Sequence, residues 1–306
     1  MKIFMTGGTG FVGTTLTQRL THKGHQVSVL TRSIPEKRPL PQGASYVEGD
    51  PTKQGPWQKN VSDHDIIINL AGASIFKRWT DSVKTDILES RIRTTNHLVA
   101  ALTGREGRET LFLSTSAVGY YGFHGAEALD EETPSGEGFL AEVSREWESA
   151  ALKAEESGAK VTLFRSGVVL GRHGGALKLM ARFFKWFLGS PLGKGEQYFS
   201  WIHEEDLARI YEYVIERNGV SGPINCTAPA PVRNKDMTTA LAKALGKPVF
   251  MPAIPSFLAK IVMGEFASLF LEGQNVLPKK LLDMGFRFRF TDIGEAFQDL
   301  LGSVHP

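Results

Sequence analysis

Apolar residues along the chain fall into short dense runs separated by longer stretches with a three-to-four-residue apolar rhythm. The runs at Lys2–Met5, Gln26–Leu30, Ser45–Glu48, Asp65–Leu70, Thr110–Leu113 and Lys160–Phe164 read as strands. Asp65–Leu70, DIIINL, is solidly β-branched at its centre, which marks a parallel strand buried on both faces. Between the strands, Phe11–Leu20 carries a stripe at Val12, Leu16 and Leu20, and Asp81–Leu102 carries one at Val83, Ile87, Leu98 and Leu102. Both predict helices, as does Phe139–Glu156. Residues 33–43, with Pro35, Pro39 and Pro41, predict a loop, and residues 51–60 a polar connection. This alternation predicts an α/β fold over residues 1–170: a Rossmann-type doubly wound parallel sheet.

The rhythm changes after residue 170. Helices are predicted at Ala176–Leu188, Glu204–Arg217 and Lys235–Leu245, and near 256–271 and 292–301. Short strands are predicted at Phe199–Ile202 and Pro223–Cys226, with a turn at 228–232 and a proline-punctuated stretch at 248–255. Residues 171–306 therefore read as a smaller mixed α/β substrate lobe that closes over the edge of the sheet and leaves a cleft between the two.

Charge narrows the classes of partner. Across 306 residues, 35 Lys and Arg face 33 Asp and Glu, a net charge of +2. That balance argues against nucleic acid and against an anionic membrane. Cys226 is the single cysteine, which excludes an intrachain disulfide and a cysteine-rich zinc site, and no metal is expected. No run approaches the roughly 18 apolar residues of a membrane span. The apolar start is short and leads straight into glycines, so no signal peptide is predicted and a cytoplasmic location is expected.

The candidate chemistry begins in MKIFMTGGTGFVG. Gly7, Gly10 and Gly13 stand three apart, between the first strand and the first helix. In that context one glycine permits a tight turn, one lets the backbone approach a pyrophosphate, and one lets the helix pack on its strand. Gly7, Thr9, Gly10, Phe11, Val12 and Gly13 thus form a predicted phosphate cradle at a helix start. The second strand ends in Thr31 and Arg32, where an NAD-selective site would carry a carboxylate for the ribose 2′-hydroxyl. Arginine suits a 2′-phosphate instead, so the expected cofactor is NADP(H). Leu70, Ala71 and Gly72 leave room for a flat ligand at the end of their strand. Ser114 to Tyr121 crowd hydroxyls onto the same edge.

Taken together, TGGTGFVG, NLAGA at 69–73, the hydroxyl cluster at 114–122, RSGVVLG at 165–171 and SWIHEEDLA at 200–208 resemble the extended short-chain dehydrogenase/reductase superfamily. More narrowly, with LEGQNVLP at 271–278, the chain resembles atypical "epimerase family" proteins of the NAD-dependent epimerase/dehydratase group. The resemblance implies a small C-terminal domain of unknown function at about 249–298, and Leu70, Ala71, Asp86, Arg91 and Val168 lining the cofactor pocket. Arg91 falls where many relatives place an asparagine, four residues before Thr95. It also implies a reductase or epimerase acting on a small polar substrate, and the chain is compatible with a homodimer. Such enzymes carry Tyr-x-x-x-Lys on the helix after the serine strand; here Phe139 and Val143 stand in those places. Ser116 matches the family's serine, and Tyr120, Tyr121 and His203 are the remaining candidates for proton transfer. The alternative is an NADPH-binding sensor or regulatory protein without turnover.

Overall fold

The six strands read from the first half of the chain lie side by side in one sheet, and a strand from the second half joins them. In the computed structural model, which describes residues 1–36, 38–104, 109–185, 189–249 and 253–302, they span Lys2–Thr6 (β1), Gln26–Thr31 (β2), Ala44–Glu48 (β3), Ile66–Asn69 (β4), Thr110–Ala117 (β5), Ala159–Ser166 (β6) and Gly222–Cys226 (β7). Their order is β7-β6-β5-β4-β1-β2-β3, and all pairings are parallel. The order reverses between β1 and β4, the position at which open α/β sheets bind ligands beyond their carboxyl ends.

Side-chain alternation along each strand feeds two cores. Ile3, Met5, Ile66 and Ile68 point to one face, where they meet Leu16 and Leu20 of Phe11–His22 (α1). Phe4, Ile67 and Phe112 point to the other, with Leu98 of Asp81–Ala100 (α2) and Ala151 of Phe139–Leu152 (α3). The first core also takes Ile210 and Val214 from Glu204–Glu216 (α4). Because α4 packs beside α1, β7 is delivered to the free edge of β6. Pro223–Cys226 was expected in the second lobe; it is instead the seventh strand of the main sheet. Its five residues carry little signal of their own, and its place depends on the helix that precedes it.

The rest of the second half differs in detail from the expected elements. The helix expected at Ala176–Leu188 spans Gly175–Lys185, and residues 186–188 lie outside the described residues. Phe199–Ile202 splits into Tyr198–Phe199, antiparallel to Val232–Arg233, and Trp201–His203, parallel to Val168–Leu170. The helix near 256–271 is broken into Ser256–Met263, a 3₁₀ turn at Gly264–Ala267 and Ser268–Leu271. Gly264 takes a φ of 64°, a left-handed conformation that interrupts the helix. Ile293–Leu301 is capped by Asp292, which accepts from the Glu295 amide at 3.0 Å. This helix closes a third core through Phe297 and Leu300 against Trp201, Leu177 and Met237. Among the described residues no helix is long and apolar enough to cross a membrane.

Candidate functional site

The glycine turn joins β1 to α1 at the switch point. Gly7 has a φ of 70°, and a Cβ there would lie 2.8 Å from the carbonyl carbon of Leu70 and 2.9 Å from the Ala71 nitrogen. A Cβ on Gly13 would press into the Gly7 carbonyl and lie 2.5 Å from the Gly8 Cα. These glycines let the turn fold tightly between β4 and its own helix. Gly10 is different: it starts α1, its amide donates to the Gly7 carbonyl at 2.9 Å, and its Cβ would meet only that oxygen, at 3.0 Å. No side chain caps α1, and no acidic residue stands in its first turn. Its N-terminal amides and partial positive charge are thus free to face an anion.

The neighbouring predicted residues divide between cradle and core. Val12 packs against the first core. The Phe11 ring fills a notch made by Gly171, Gly174 and Gly175, where a Cβ at 174 or 175 would come within 2.8 or 2.9 Å of it. Thr31 donates from its hydroxyl to the Ser33 carbonyl at 2.9 Å, and Arg32 is exposed at the end of β2. Sequence reasoning missed Arg38, whose guanidinium sits on the glycine turn and donates to the Thr9 carbonyl and the Thr14 hydroxyl, both at 2.7 Å.

On the other side of the switch point a buried polar chain fixes the strand ends. The Thr6 hydroxyl donates to Asn69 Oδ1 at 2.9 Å, and Asn69 Nδ2 donates to the Thr95 hydroxyl at 2.8 Å. The Trp147 indole N–H donates to the same hydroxyl at 3.0 Å. This chain ties β1, β4, α2 and α3 together just below Leu70–Gly72. Arg91 lies beside Gly72, with its guanidinium carbon 5.0 Å from the Trp147 ring centre. It donates to the carbonyls of Ala73 at 3.1 Å and Ile87 at 2.9 Å. Burial alone lowers its pKa to about 10, so it remains a cation at neutral pH. No carboxylate pairs with it among the described residues. Asp86 is exposed earlier on the same helix, and Val168 is half-buried opposite Trp201.

The candidate proton-transfer residues are mostly spoken for. Ser116 is buried, and its hydroxyl donates to Glu148 Oε1 at 2.6 Å. Arg165 forks onto the same carboxylate, Nε to Oε1 at 2.9 Å and Nη2 to Oε2 at 2.8 Å. Burial opposes the Arg165 charge, but the hydrogen bonds and charge of Glu148 outweigh it and raise the pKa. Arg165 Nη1 also donates to the Tyr121 hydroxyl at 3.0 Å, which in turn donates to Asn225 Oδ1 at 2.7 Å. Tyr121 is completely buried, and burial pushes its pKa up to about 12. It was expected as a proton carrier; in the structure it is a link in a buried network from β5 to β7. His203 is engaged through one ring nitrogen, while its Nε2 lies 3.4 Å from an Asp299 carboxylate oxygen. It caps α4, accepting from the Glu205 amide at 3.0 Å through Nδ1, and stacks on Phe290 at 3.8 Å. Burial lowers its pKa, which keeps the ring neutral. Tyr120 alone keeps a partly exposed ring, with Arg165 stacked 3.4 Å from its centre. Its hydroxyl makes no hydrogen bond among the described residues.

Phe139 and Val143 join an apolar cluster with Trp79, Ile87 and Phe266. Neither offers a proton, and a lysine at 143 would bury its ammonium among hydrocarbons. The same cluster walls a cleft of ≈ 490 Å³ lined by Trp79, Phe139, Leu140, Lys260, Glu272 and Gln274. The cleft lies between the start of α3 and the C-terminal segment, where a substrate could sit.

The NAD dependent epimerase/dehydratase family model matches residues 3–226, and a model for a domain of unknown function, DUF1731, matches residues 254–300. The chain is 40% identical over 303 residues to the "Epimerase family protein SDR39U1 homolog, chloroplastic" of Arabidopsis thaliana, covering 98% of this chain and 87% of that one. It is 38% identical to the epimerase family protein YfhF of Bacillus subtilis, covering 98% of each. The solved structure of human epimerase family protein SDR39U1, isoform 2, with NADPH superposes with a TM-score of 0.85 at 33% identity, over 98% of this chain and 99% of that one.

Proposed function

We propose that this chain, which belongs to the NAD dependent epimerase/dehydratase family, binds NADP(H) across the glycine turn and acts as an oxidoreductase or epimerase on a small polar substrate in the adjoining cleft. The observation that carries the cofactor reading is the uncapped N-terminus of α1 at the switch point, with β2 followed directly by Arg32 rather than a carboxylate. The NADPH in the human relative supports the same reading. The bound cofactor would supply or accept hydride. The chain itself would seat the pyrophosphate on Gly10–Val12 and place the flat ring over Leu70–Gly72, with Arg91 as a fixed cation beside it. Proton delivery falls to Tyr120, the candidate whose hydroxyl is not already bonded. Residues 171–306 supply the outer wall of the cleft in this reading.

A second reading has its own observation. Phe139 and Val143 pack as core residues where the superfamily's tyrosine and lysine would act, which favours a cofactor-binding sensor without turnover. Titration and kinetics separate the two. Wild type should bind NADPH ten- to a hundredfold more tightly than NADH, and Arg32→Ala should remove most of that preference. Equal wild-type affinities would refute the cofactor reading. With carbonyl substrates offered to the NADPH-loaded protein, Tyr120→Phe should lose about a hundredfold in turnover at unchanged cofactor affinity. Tight NADPH binding with no turnover of any carbonyl, and none of any hydroxyl substrate by the NADP⁺-loaded protein, would favour the sensor.

A further inference from the structure

We infer that the cleft beside Phe139 takes a flat, ring-bearing carbonyl compound with few hydroxyls, and not a sugar. The inference rests on the reading of this cleft as the substrate site, and it narrows the substrate to one whose polarity lies at its reacting end.

The inner wall is aromatic. Trp79 and Phe139 meet edge to face with their ring centres 5.2 Å apart, and Phe266 backs Trp79 at 5.9 Å. Phe123 and Leu140 extend the apolar lining. A flat ring buries its area well against such a wall. Gly119 and Gly122, on either side of the Tyr120–Tyr121 pair in sequence, also line the cleft. A carbonyl at one end of the ring can therefore be directed toward the turn that carries Tyr120.

The polar atoms of the lining are largely engaged by the protein itself. The Trp79 indole donates to the Ile75 carbonyl at 3.0 Å, and the Ser268 hydroxyl to the Glu265 carbonyl at 2.7 Å. Gln274 Nε2 donates to the Gly122 carbonyl at 2.6 Å, and the Glu265 carboxylate pairs with Lys84. The other charged groups of the lining, Glu137, Lys260 and Glu272, are exposed and stay hydrated. A sugar carries a hydroxyl on nearly every ring carbon. Seated here it would give up its hydrogen bonds to water and regain few. A ring with a single carbonyl loses little.

The outer wall points the same way. Phe257, Lys260 and Ile261 of the helix Ser256–Met263 stand at i, i+3 and i+4, and so share one face. Lys260 lines the cleft, whereas Phe257 and Ile261 are 63% and 68% exposed. This leaves a largely uncovered apolar rim continuous with an aromatic floor. An apolar ligand body reaching the mouth of the cleft would cover it, and a hydrated sugar would not.

The test is calorimetric titration of 2-acetylnaphthalene, D-glucose and UDP-glucose into the NADP⁺-loaded protein, in which a ketone can bind but is not reduced. Wild type should bind 2-acetylnaphthalene about tenfold more tightly than either sugar, or better. Phe139→Leu, which keeps an apolar wall but removes the ring, should weaken that binding about tenfold. Phe257→Ser/Ile261→Ser changes only exposed side chains, so the fold should survive, as thermal melting would check; it should cost about fivefold. Leu152→Ser, at the far end of α3 and also exposed, should bind like wild type. If all four proteins bind the ketone alike, the apolar probe adheres elsewhere and the inference is overturned. It is equally overturned if a sugar binds more tightly than the ketone and Phe139→Leu weakens the sugar, an outcome that leaves the cleft standing as the substrate site. Binding of none of the three ligands would sink that reading together with this one.

Discussion

Replacing Gly10 by valine is expected to weaken dinucleotide binding by at least a thousandfold, roughly 4 kcal/mol, in a protein that still folds. The backbone at Gly10 is extended, with φ −76° and ψ −179°, a conformation open to any residue. An added Cβ meets only the Gly7 carbonyl, at 3.0 Å, and a shift of a few tenths of an ångström relieves it. The branched methyls beyond it would stand in front of the α1 amides, in the space a pyrophosphate needs. Gly13→Ala is the contrasting variant. Its methyl would press on the Gly7 carbonyl and the Gly8 Cα, so the turn itself must open, and stability should fall together with binding. Circular dichroism and thermal melting check the fold, and NADPH titration checks the site. A folded Gly10→Val protein that binds within threefold of wild type would falsify the placement of the pyrophosphate.

The sequence was most readable where the chemistry is contiguous. The glycine turn, its strand and its helix form one unbroken stretch, and the dense run at 66–69 announces a doubly buried strand whatever its neighbours are. Long-range pairing was not readable. Glu148 and Arg165 each interrupt an otherwise apolar pattern, which is a signal that they are paired, but nothing local names the partner or adds Ser116 and Tyr121 to the group. Arg38 was hidden for the same reason, since its partners lie on a different element. His203 is another matter. It precedes three consecutive acids and an amphipathic helix, the pattern of a helix start, though histidine is not among the residue types that mark a cap in sequence. Strand β7 shows how tertiary context overrides local pattern: five residues with a glycine and a proline become a sheet strand because α4 lies on α1.

Removing Glu148 is expected to cost about 3–5 kcal/mol of folding stability, more than any single hydrogen bond it makes would suggest. Glu148 and Arg165 are 6% and 3% exposed, so little water can replace a lost partner. In Glu148→Leu the guanidinium would keep only the Tyr121 hydroxyl as an acceptor, and the Ser116 hydroxyl would lose its own. A buried uncompensated charge dominates that cost. Glu148→Gln retains an acceptor for Ser116 but leaves the charge unpaired, and should fall between wild type and Glu148→Leu. The decisive variant removes both charges. Glu148→Leu with Arg165→Met leaves only hydroxyls unsatisfied, at about 1–3 kcal/mol each. It should therefore be more stable than Glu148→Leu alone, which urea denaturation of wild type, Glu148→Leu, Arg165→Met and the double variant would register as a favourable coupling. Additive losses would mean that the two residues act separately and that the network is incidental. Coupling would show that the buried pair ties α3 to β6. Along α3, Phe139 and Val143 pack in the cleft wall, the Trp147 indole donates to the Thr95 hydroxyl, and Glu148 accepts from the Ser116 hydroxyl. In the proposed reading, proton transfer falls to Tyr120 on the 3₁₀ turn Val118–Tyr121, outside that helix.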